Sequence, residues 1–373
     1  MPSYNDLRPD SDQDRKEYAL VFPDLTIEEK KRTLDGLLTL RDALDVSVAD
    51  KVSDRNLIVA SWNIKEFGNT TQRLPESYFY IAEIISRFDL VVVQEIKKTL
   101  KDLKILMRLL GDNWRYLVND ITDGTSGNSE RSGYLYDSSR VEFAGLAGEI
   151  VLSEKLTANS TLKQLKRTPY MTGFRAGWKT FATVCLHLQP GDSSQKVALR
   201  KQEVDLLLQA LKEKKDSGKL WNDNLILAGD FNFYDSKDGP AIGAIQNAGY
   251  RQVKSLVGLD TNDTQTEAYD RLFFSEDDDY FTVGTDENGD EVGGVLRLFD
   301  HLFKEEDHLT WRSYMLDDYT GSKDLANNPG ELKAYFKNPW RRNQLSDHFP
   351  IWFELITDSA DEFLTELKDL HEG

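Results

Sequence analysis

The chain has 373 residues, 39% hydrophobic side chains and a formal net charge of -18. Its length and apolar content allow a large buried core, which excludes disorder as the default state. The negative charge argues against non-specific electrostatic binding of nucleic acid over a broad surface, because sequence-independent phosphate binding depends on clustered Lys and Arg. A polyanionic substrate would therefore need a bound cation and a few local basic residues to offset the field.

Cysteine usage and hydropathy indicate the compartment in which the protein works. The single cysteine, Cys185, excludes an intramolecular disulfide framework. The N-terminal residues have no basic start followed by an apolar stretch, which predicts no secretory signal. No run approaches the roughly 18 consecutive apolar residues that a membrane helix needs. We therefore expect a cytoplasmic protein that does not engage a membrane.

Residues 1–54 are predicted to form an N-terminal helical extension. Thr26 and Glu29 have the spacing of a capping box, which marks the beginning of a helix. Apolar side chains then recur at helical spacing at Leu34, Leu37, Leu38 and Leu44.

Residues 55–357 are predicted to form one domain, because apolar runs continue without a Pro/Gly/Ser-rich linker. Short β-type runs are separated by segments with helical periodicity, such as 78–88 and 195–215. The β-type runs are LIVASW, LVVVQE, SGYLYD, FATVCLHL, LILAGDF, RLFF and PIWFEL. Strands that alternate with helices indicate a layered α/β protein.

The last segment, 358–373, is predicted to be an amphipathic helix with Phe363, Leu367 and Leu370 on one face. Its start, Ser359 followed by Glu362, has capping-box spacing. Either terminal helix could recruit a protein partner or dimerise the chain, and equally could cover a sheet edge.

One strongly acidic segment runs from Glu276 to Glu291, with eight acidic residues and no Lys or Arg. It contains Asn288-Gly289, a strong hairpin-turn pair. The position of the glycine departs from that in a calcium-binding EF-hand loop. We therefore expect a solvated acidic hairpin.

Polar residues suited to metal binding follow two of the predicted strands. Asn63 follows an apolar run in LIVASWNIKEFG, and Glu95 follows another in LVVVQEIKK. Strand ends are where α/β folds build sites, and a carboxylate with an amide oxygen suits a hard cation such as Mg²⁺. A structural role, as a loop cap or a helix start, is the alternative for each residue taken alone.

Histidines and carboxylates follow or precede other strands. His187 ends the run FATVCLH, while Asp230 and Asn232 lie two apart in LILAGDFNF and can point to the same side. Such a pair can hold a nucleophilic water against a phosphate near a metal. Asp347 and His348 precede the final strand, and a histidine beside a carboxylate is a natural general acid or base.

The order of the blocks WNI, QE, LHL, GDFN, YDR and SDHFP resembles the endonuclease/exonuclease/phosphatase superfamily. The motif YDRL most resembles the corresponding motif in the deoxyribonuclease I branch of this superfamily. The resemblance covers approximately residues 57–355 and neither terminal extension. It implies a four-layered α/β sandwich, in which two packed mixed β-sheets are flanked by helices and a metal site lies at one end.

The resemblance also implies roles for individual residues. Glu95 would be the main Mg²⁺ ligand, with Asn63 beside it and Asp347 contributing, and Mn²⁺ or Ca²⁺ are alternative ions. His187 and His348 would flank the scissile phosphate, with Glu130 orienting His187 and Asp270 orienting His348. Asp230 and Asn232 would position the phosphate and the attacking water. Arg131 and Arg167 would bind substrate. For Glu130, Arg131 and Arg167, a surface ion pair is the structural alternative.

The implied activity is Mg²⁺-dependent hydrolysis of DNA phosphodiester bonds by in-line attack of water. Basic residues near the motifs give modest electrostatic support, namely Lys97, Lys98, Lys101, Lys104, Arg341 and Arg342. The net charge of -18 favours an alternative, a phosphodiesterase or phosphatase that acts on a nucleotide, an inositol phosphate or a lipid headgroup. A catalytically inactive binding or scaffold protein on the same fold is the alternative of another class.

Overall fold

The computed structural model describes residues 2–16, 19–69, 72–121, 129–276 and 280–372. Its strands are β1 (Asn56–Phe67), β2 (Leu90–Lys97), β3 (Trp114–Val118), β4 (Glu130–Asp137), β5 (Glu142–Glu149), β6 (Tyr170–Ala176), β7 (Lys179–His187), β8 (Leu225–Asp230), β9 (Tyr250–Gln252), β10 (Asp270–Ser275), β11 (Thr282–Val283), β12 (Gly293–Val295) and β13 (Ile351–Ile356). Its helices are α1 (Ile27–Ser47), α2 (Pro75–Ser86), α3 (Lys101–Leu110), α4 (Glu154–Thr157), α5 (Ser194–Asp216), α6 (Gly239–Asn247), α7 (Arg312–Asp318), α8 (Pro329–Tyr335), α9 (Arg341–Gln344) and α10 (Ala360–Glu372). No helix in these described ranges combines the length and apolar character needed to cross a membrane.

The strands form two mixed sheets. The first sheet has the order β11-β13-β1-β2-β4-β3, with β12 beside β13, and the second has the order β5-β6-β7-β8-β10-β9. The parallel pairs are β1 with β2 and β7 with β8. A parallel pair needs a crossover connection, and α2 and α5 supply these two crossovers. The helical periodicity at 78–88 and 195–215 is thereby confirmed.

The two sheets pack face to face, and helices cover their outer faces. Leu57 and Val59 of β1 lie in the core between the sheets, while Ile58 and Ala60 lie in the core beneath the outer helices. Alternate side chains of a strand point to opposite faces, so both faces of β1 are buried. This double burial explains the continuous apolar runs in the sequence. The predicted four-layered α/β sandwich is confirmed.

The N-terminal helix forms as expected from its cap. Thr26 and Glu29 make both hydrogen bonds of the capping box at the start of α1. Leu37 and Leu44 are buried, whereas Leu38 is 64% exposed, so the buried face of α1 is narrower than predicted. The division of the chain at residues 54 and 357 stays a prediction.

The C-terminal helix α10 lies on the surface, where Phe363, Leu364, Leu367 and Leu370 are exposed. The ring of Phe363 contacts that of Trp178, with centroids 5.5 Å apart. The acidic segment forms a hairpin where it is described, because Thr285 bridges Glu291 around the Asn288-Gly289 turn. Residues 277–279 of that segment lie outside the described residues.

A helical segment between β12 and β13, residues 298–345, was not predicted from the sequence. It contains α7, α8 and α9 and packs on the first sheet and its helices. Its core is aromatic, and the rings of Trp311, Phe336 and Trp340 stack or tilt against one another. The segment ends at Leu345, two residues before Asp347 in the chain.

Glu76 joins this segment to the two neighbouring helices. The buried carboxylate of Glu76 accepts from Arg32 Nε of α1 at 2.6 Å and from Trp311 Nε1 at 2.5 Å. Replacing Glu76 with alanine leaves both donors without a partner and should lower the free energy of unfolding by about 3 kcal/mol. Urea denaturation measures this change, with the exposed Glu366→Ala of α10 as control. Equal midpoints for the two variants would contradict the expectation.

Candidate active site

Most of the predicted site residues meet at one edge of the two sheets. The carboxyl ends of the parallel strands β7 and β8 lie side by side, and His187 at the end of β7 pairs in register with Asp230 at the end of β8. On its other side, Asp230 pairs with Asp270, the first residue of the antiparallel strand β10. The sheet register alone therefore aligns three of the predicted functional side chains.

His348, which is partly buried, forms a hydrogen-bonded pair with the buried Asp270. His348 Nδ1 lies 2.8 Å from Asp270 Oδ2, and the hydroxyl of Thr261 donates to the same oxygen at 2.8 Å. The opposite ring nitrogen, Nε2, lies 3.8 Å from Asp230 Oδ2. Burial lowers the pKa of His348, but the carboxylates of Asp270 and Asp230 outweigh it and hold that pKa well above its ordinary value. The two carboxylates therefore favour the protonated form of His348.

His187 has a corresponding partner in Glu130. His187 Nδ1 lies 3.2 Å from Glu130 Oε2, and its Nε2 lies 3.4 Å from Asp230 Oδ2. Arg167 Nε donates to the same Glu130 oxygen at 2.8 Å. Burial raises the pKa of Glu130, but His187 and Arg167 outweigh that effect and hold it well below its ordinary value. An ionised Glu130 fixes the ring of His187 with its Nε2 toward Asp230.

Asp230 lies at the centre of these groups. Its Oδ2 accepts a hydrogen bond from Asn63 Nδ2 at 3.1 Å, and its Oδ1 accepts the backbone N–H of Asn232 at 2.8 Å. Asn232 has the left-handed backbone conformation, with φ of +52°, which asparagine tolerates better than most residues. Its side chain donates to Leu188 O at 3.1 Å and so ties the end of β8 to the end of β7.

Glu95 and Asn63 have the oxygen atoms that a hard cation requires. Glu95 sits at φ of +61°, where the pairing of β1 with β2 shifts register. Its Oε1 accepts from Asn63 Nδ2 at 3.1 Å, and its Oε2 accepts from the backbone N–H of Glu66 at 2.9 Å. Asn63 Oδ1 is buried without a hydrogen-bond partner among the described residues. An unpartnered amide oxygen beside a carboxylate fits a Mg²⁺-type ion.

The third predicted ligand, Asp347, is engaged by a lysine. Asp347 Oδ2 lies 2.8 Å from Lys65 Nζ, so its charge is balanced within the protein. Asp230, Asp270 and His348 form a second group that could bind a metal ion. Each offers one ligand atom, and these three atoms lie within 4.8 Å of one another. Asp270 Oδ1, like Asn63 Oδ1, is buried without a hydrogen-bond partner among the described residues. We favour Glu95 and Asn63 for the metal because the motif resemblance implies these two ligands and the unpartnered Asn63 oxygen lies beside the Glu95 carboxylate.

Among the described residues, the side-chain contacts of Arg131 are with residues that follow β3 and not with the histidines and carboxylates of the site. Neighbouring residues of β4 point to opposite faces, and Arg131 bonds to Asn119 O at 2.6 Å and Asp120 Oδ1 at 3.2 Å. The predicted role of Arg131 in substrate binding has no support from these contacts and stays a prediction.

Two further residues contact the carboxylates of the site: Lys97, which was predicted only as part of a basic rim, and Thr261, which was not predicted. Lys97 Nζ lies 3.1 Å from Glu66 Oε1 and 3.3 Å from Glu130 Oε1. Thr261, described above as a donor to Asp270, comes from a loop nine residues earlier in the chain. The position of Lys97, two residues after Glu95 on the same strand, could have indicated that it lies at this edge.

No protein-family model matches the chain. The chain is similar to deoxyribonuclease-1 of Rattus norvegicus, with 33% identity over 110 residues, 28% of this chain and 36% of the rat protein. It is also similar to deoxyribonuclease-1 of Equus caballus, with 25% identity over 260 residues, 65% of this chain and 82% of the horse protein. The rat match thus spans about a third of that protein's length.

Among solved structures, an endonuclease/exonuclease/phosphatase family protein from Bacteroides thetaiotaomicron superposes with a TM-score of 0.50 and 16% identity. The match covers 82% of this chain and 96% of that one. The chain therefore has the fold of the endonuclease/exonuclease/phosphatase superfamily. Within that class, its sequence similarity is to deoxyribonuclease-1, which confirms the resemblance stated from the motifs.

Proposed function

We propose that the protein is a metal-dependent phosphodiester hydrolase and that its substrate is DNA. The observation that carries the proposal is the position of Asp230 between His187 and His348. Each histidine is bound through its other ring nitrogen to a second buried carboxylate. The similarity to deoxyribonuclease-1 supports the same activity.

The site offers fixed donors for a phosphodiester group. His187 and His348 both turn Nε2 toward the centre of the site. Arg167 Nη1 is buried with no hydrogen-bond partner among the described residues, so a phosphate oxygen can take this donor. Negative charge on the phosphate oxygens grows in the transition state, and donors that are already oriented stabilise it most. These contacts support roles for both histidines and Arg167 in binding the reacting phosphate.

We assign proton transfer to Asp230 and His348. Asp230 can orient the attacking water and accept its proton, because its Oδ2 faces the space between the histidines. The Asp270 carboxylate favours the protonated form of His348, which can then donate a proton to the leaving oxygen. A divalent cation held by Glu95 and Asn63 would supply further stabilisation of negative charge on phosphate oxygens.

The role of Asp270 depends on Thr261, which gives a testable prediction. Replacing Thr261 with valine removes the hydroxyl that donates to Asp270 Oδ2 while keeping the size of the side chain. We expect kcat to fall about tenfold, because His348 is then less firmly oriented. Steady-state hydrolysis rates measure the effect, with Thr365→Val on the exposed helix α10 as control. A wild-type kcat in Thr261→Val would show that this hydroxyl has no part in the reaction.

A small phosphate ester is the second candidate substrate, and the charge distribution favours it. Lys97 is paired with two glutamates, and Arg342 donates to Asp263 Oδ2 at 2.8 Å. Part of the predicted basic rim is thus neutralised locally, while the net charge of the chain is -18. Such a field opposes a long polyanion more than a small ester. A cytoplasmic location and association through the terminal helices stay predictions.

A substrate panel separates the two candidates. Purified full-length protein with Mg²⁺ would be incubated with supercoiled plasmid, with bis(p-nitrophenyl) phosphate and with phosphomonoesters of a nucleotide and an inositol. The proposal predicts that plasmid is cleaved with the highest kcat/KM. Hydrolysis confined to small esters would be consistent with metal-dependent phosphoester hydrolysis but would overturn DNA as the substrate. No hydrolysis of any substrate, with Mg²⁺, Mn²⁺ or Ca²⁺, would overturn the enzymatic proposal.

A further inference from the structure

Helix α5 carries two charged side chains that are buried and face the site loops rather than solvent. Arg200 and Glu203 are 0% and 2% exposed. They lie three residues apart and so share one face of the helix. Neither residue contacts the reacting groups directly, and neither was selected from the sequence. Burying two charges raises the free energy of the folded state unless their hydrogen bonds are satisfied. The hydrogen-bond partners of Arg200 and Glu203 therefore indicate the role of these residues.

Glu203 links the loop that carries Arg167 to the loop that follows His187. Its Oε1 accepts the backbone N–H of Lys166 at 3.0 Å, and its Oε2 accepts the backbone N–H of Gln189 at 2.8 Å. Lys166 precedes Arg167, and Gln189 lies two residues after His187. One carboxylate thus sets the distance between the two loops.

Arg200 extends this linkage to the loop after β8. Its Nη1 donates to Gln189 O at 2.7 Å and to Gly191 O at 2.8 Å. Its Nε and Nη2 donate to the two carboxylate oxygens of Asp238, at 3.0 and 2.6 Å. Asp238 Oδ2 in turn accepts the backbone N–H of Tyr234, two residues after Asn232, at 2.9 Å.

We propose that Glu203 is a positioning residue which, together with Arg200, holds the loops of Arg167, His187 and Asn232 in the spacing required for catalysis. This inference rests on the proposed phosphodiester hydrolysis. Apolar residues of similar size would join helix to sheet as stably as a buried ion network. Backbone-directed hydrogen bonds, by contrast, fix where each loop lies, and errors of about 1 Å in such placement are costly to catalysis.

The test compares Glu203→Gln with a matched variant on the same helix. Glutamine keeps the size of the side chain but places an NH2 group against one of the two backbone N–H groups. We expect the variant to fold, kcat to fall about 10- to 100-fold and KM to change little. Amide hydrogen exchange should become faster in 164–169 and 188–191. Leu211→Ala, a buried α5 residue in the apolar core, should lower the unfolding midpoint and leave kcat unchanged.

A double-mutant cycle with Arg167→Ala distinguishes positioning from stability. If Glu203 acts by placing Arg167 relative to His187, then Glu203→Gln should cost much less kcat in the Arg167→Ala background than in the wild type. Additive losses, or wild-type kcat and amide exchange in Glu203→Gln, would overturn the inference. If the wild-type protein hydrolyses no phosphodiester, the proposed function is overturned. In that case, faster amide hydrogen exchange in 164–169 and 188–191 of Glu203→Gln would still support the linkage of the two loops by Glu203.

Discussion

Replacing His348 or His187 with alanine is expected to lower kcat for phosphodiester hydrolysis by about 10²- to 10⁴-fold. Each substitution removes a donor whose Nε2 faces Asp230 and whose other nitrogen is held by a buried carboxylate. Each also leaves that carboxylate, Glu130 or Asp270, without its histidine partner. Single-turnover rates with saturating substrate measure the chemical step directly.

His371→Ala, on the exposed helix α10, is the matched control for the loss of a histidine. Circular dichroism and thermal unfolding of each variant establish that the fold is retained. Asp270→Asn provides an intermediate case, because the amide keeps the shape of the side chain and removes the charge that holds the pKa of His348 high. Wild-type single-turnover rates in either folded histidine variant would contradict the assigned roles.

Replacing Glu95 with glutamine is expected to weaken Mg²⁺ binding by about 100-fold or more. Glu95 supplies the charged oxygen ligand beside the unpartnered Asn63 Oδ1, and glutamine keeps its size without the charge. Isothermal titration calorimetry of the substrate-free protein measures the loss without reference to activity. Titrations with Mn²⁺ and Ca²⁺ should show the same dependence on Glu95.

Two controls decide between the possible metal positions. Glu142→Gln removes an exposed carboxylate that contacts Arg175 and should leave the affinity unchanged. Asp270→Asn tests the other group of potential ligands, Asp230, Asp270 and His348. Loss of Mg²⁺ binding in Asp270→Asn, together with a wild-type dissociation constant in Glu95→Gln, would transfer the metal from Glu95 to that group.

The sequence predicted those parts of the site that follow from strand register. Asp230, His187 and Asp270 lie together because they end or begin neighbouring strands of one sheet. An apolar strand that stops at a polar residue is a local pattern, and the side-by-side arrangement of parallel strand ends is a property of the fold. These two facts suffice to bring the predicted residues to one edge.

The contacts between distant loops could not be predicted in this way. Thr261 and Glu203 act through partners that tertiary packing supplies, and no local spacing marks them. The helical segment 298–345 was also missed, because its apolar residues pack on α1, α2 and the first sheet in short irregular turns. A motif match also does not decide to which face of β4 the side chain of Arg131 points, and its role in substrate binding stays a prediction.

Metal-dependent cleavage of DNA at Asp230 can be measured as the nicking of supercoiled plasmid by the wild type and by Asp230→Asn, each at the same Mg²⁺ concentration with and without EDTA. Asparagine keeps the size of the side chain at the centre of the site and removes the carboxylate that faces both histidines. We expect the wild type to nick plasmid only when Mg²⁺ is available and Asp230→Asn to leave it supercoiled. Nicking that resists EDTA, or equal nicking by the two proteins, would show that the reaction does not depend on the metal or on the Asp230 carboxylate.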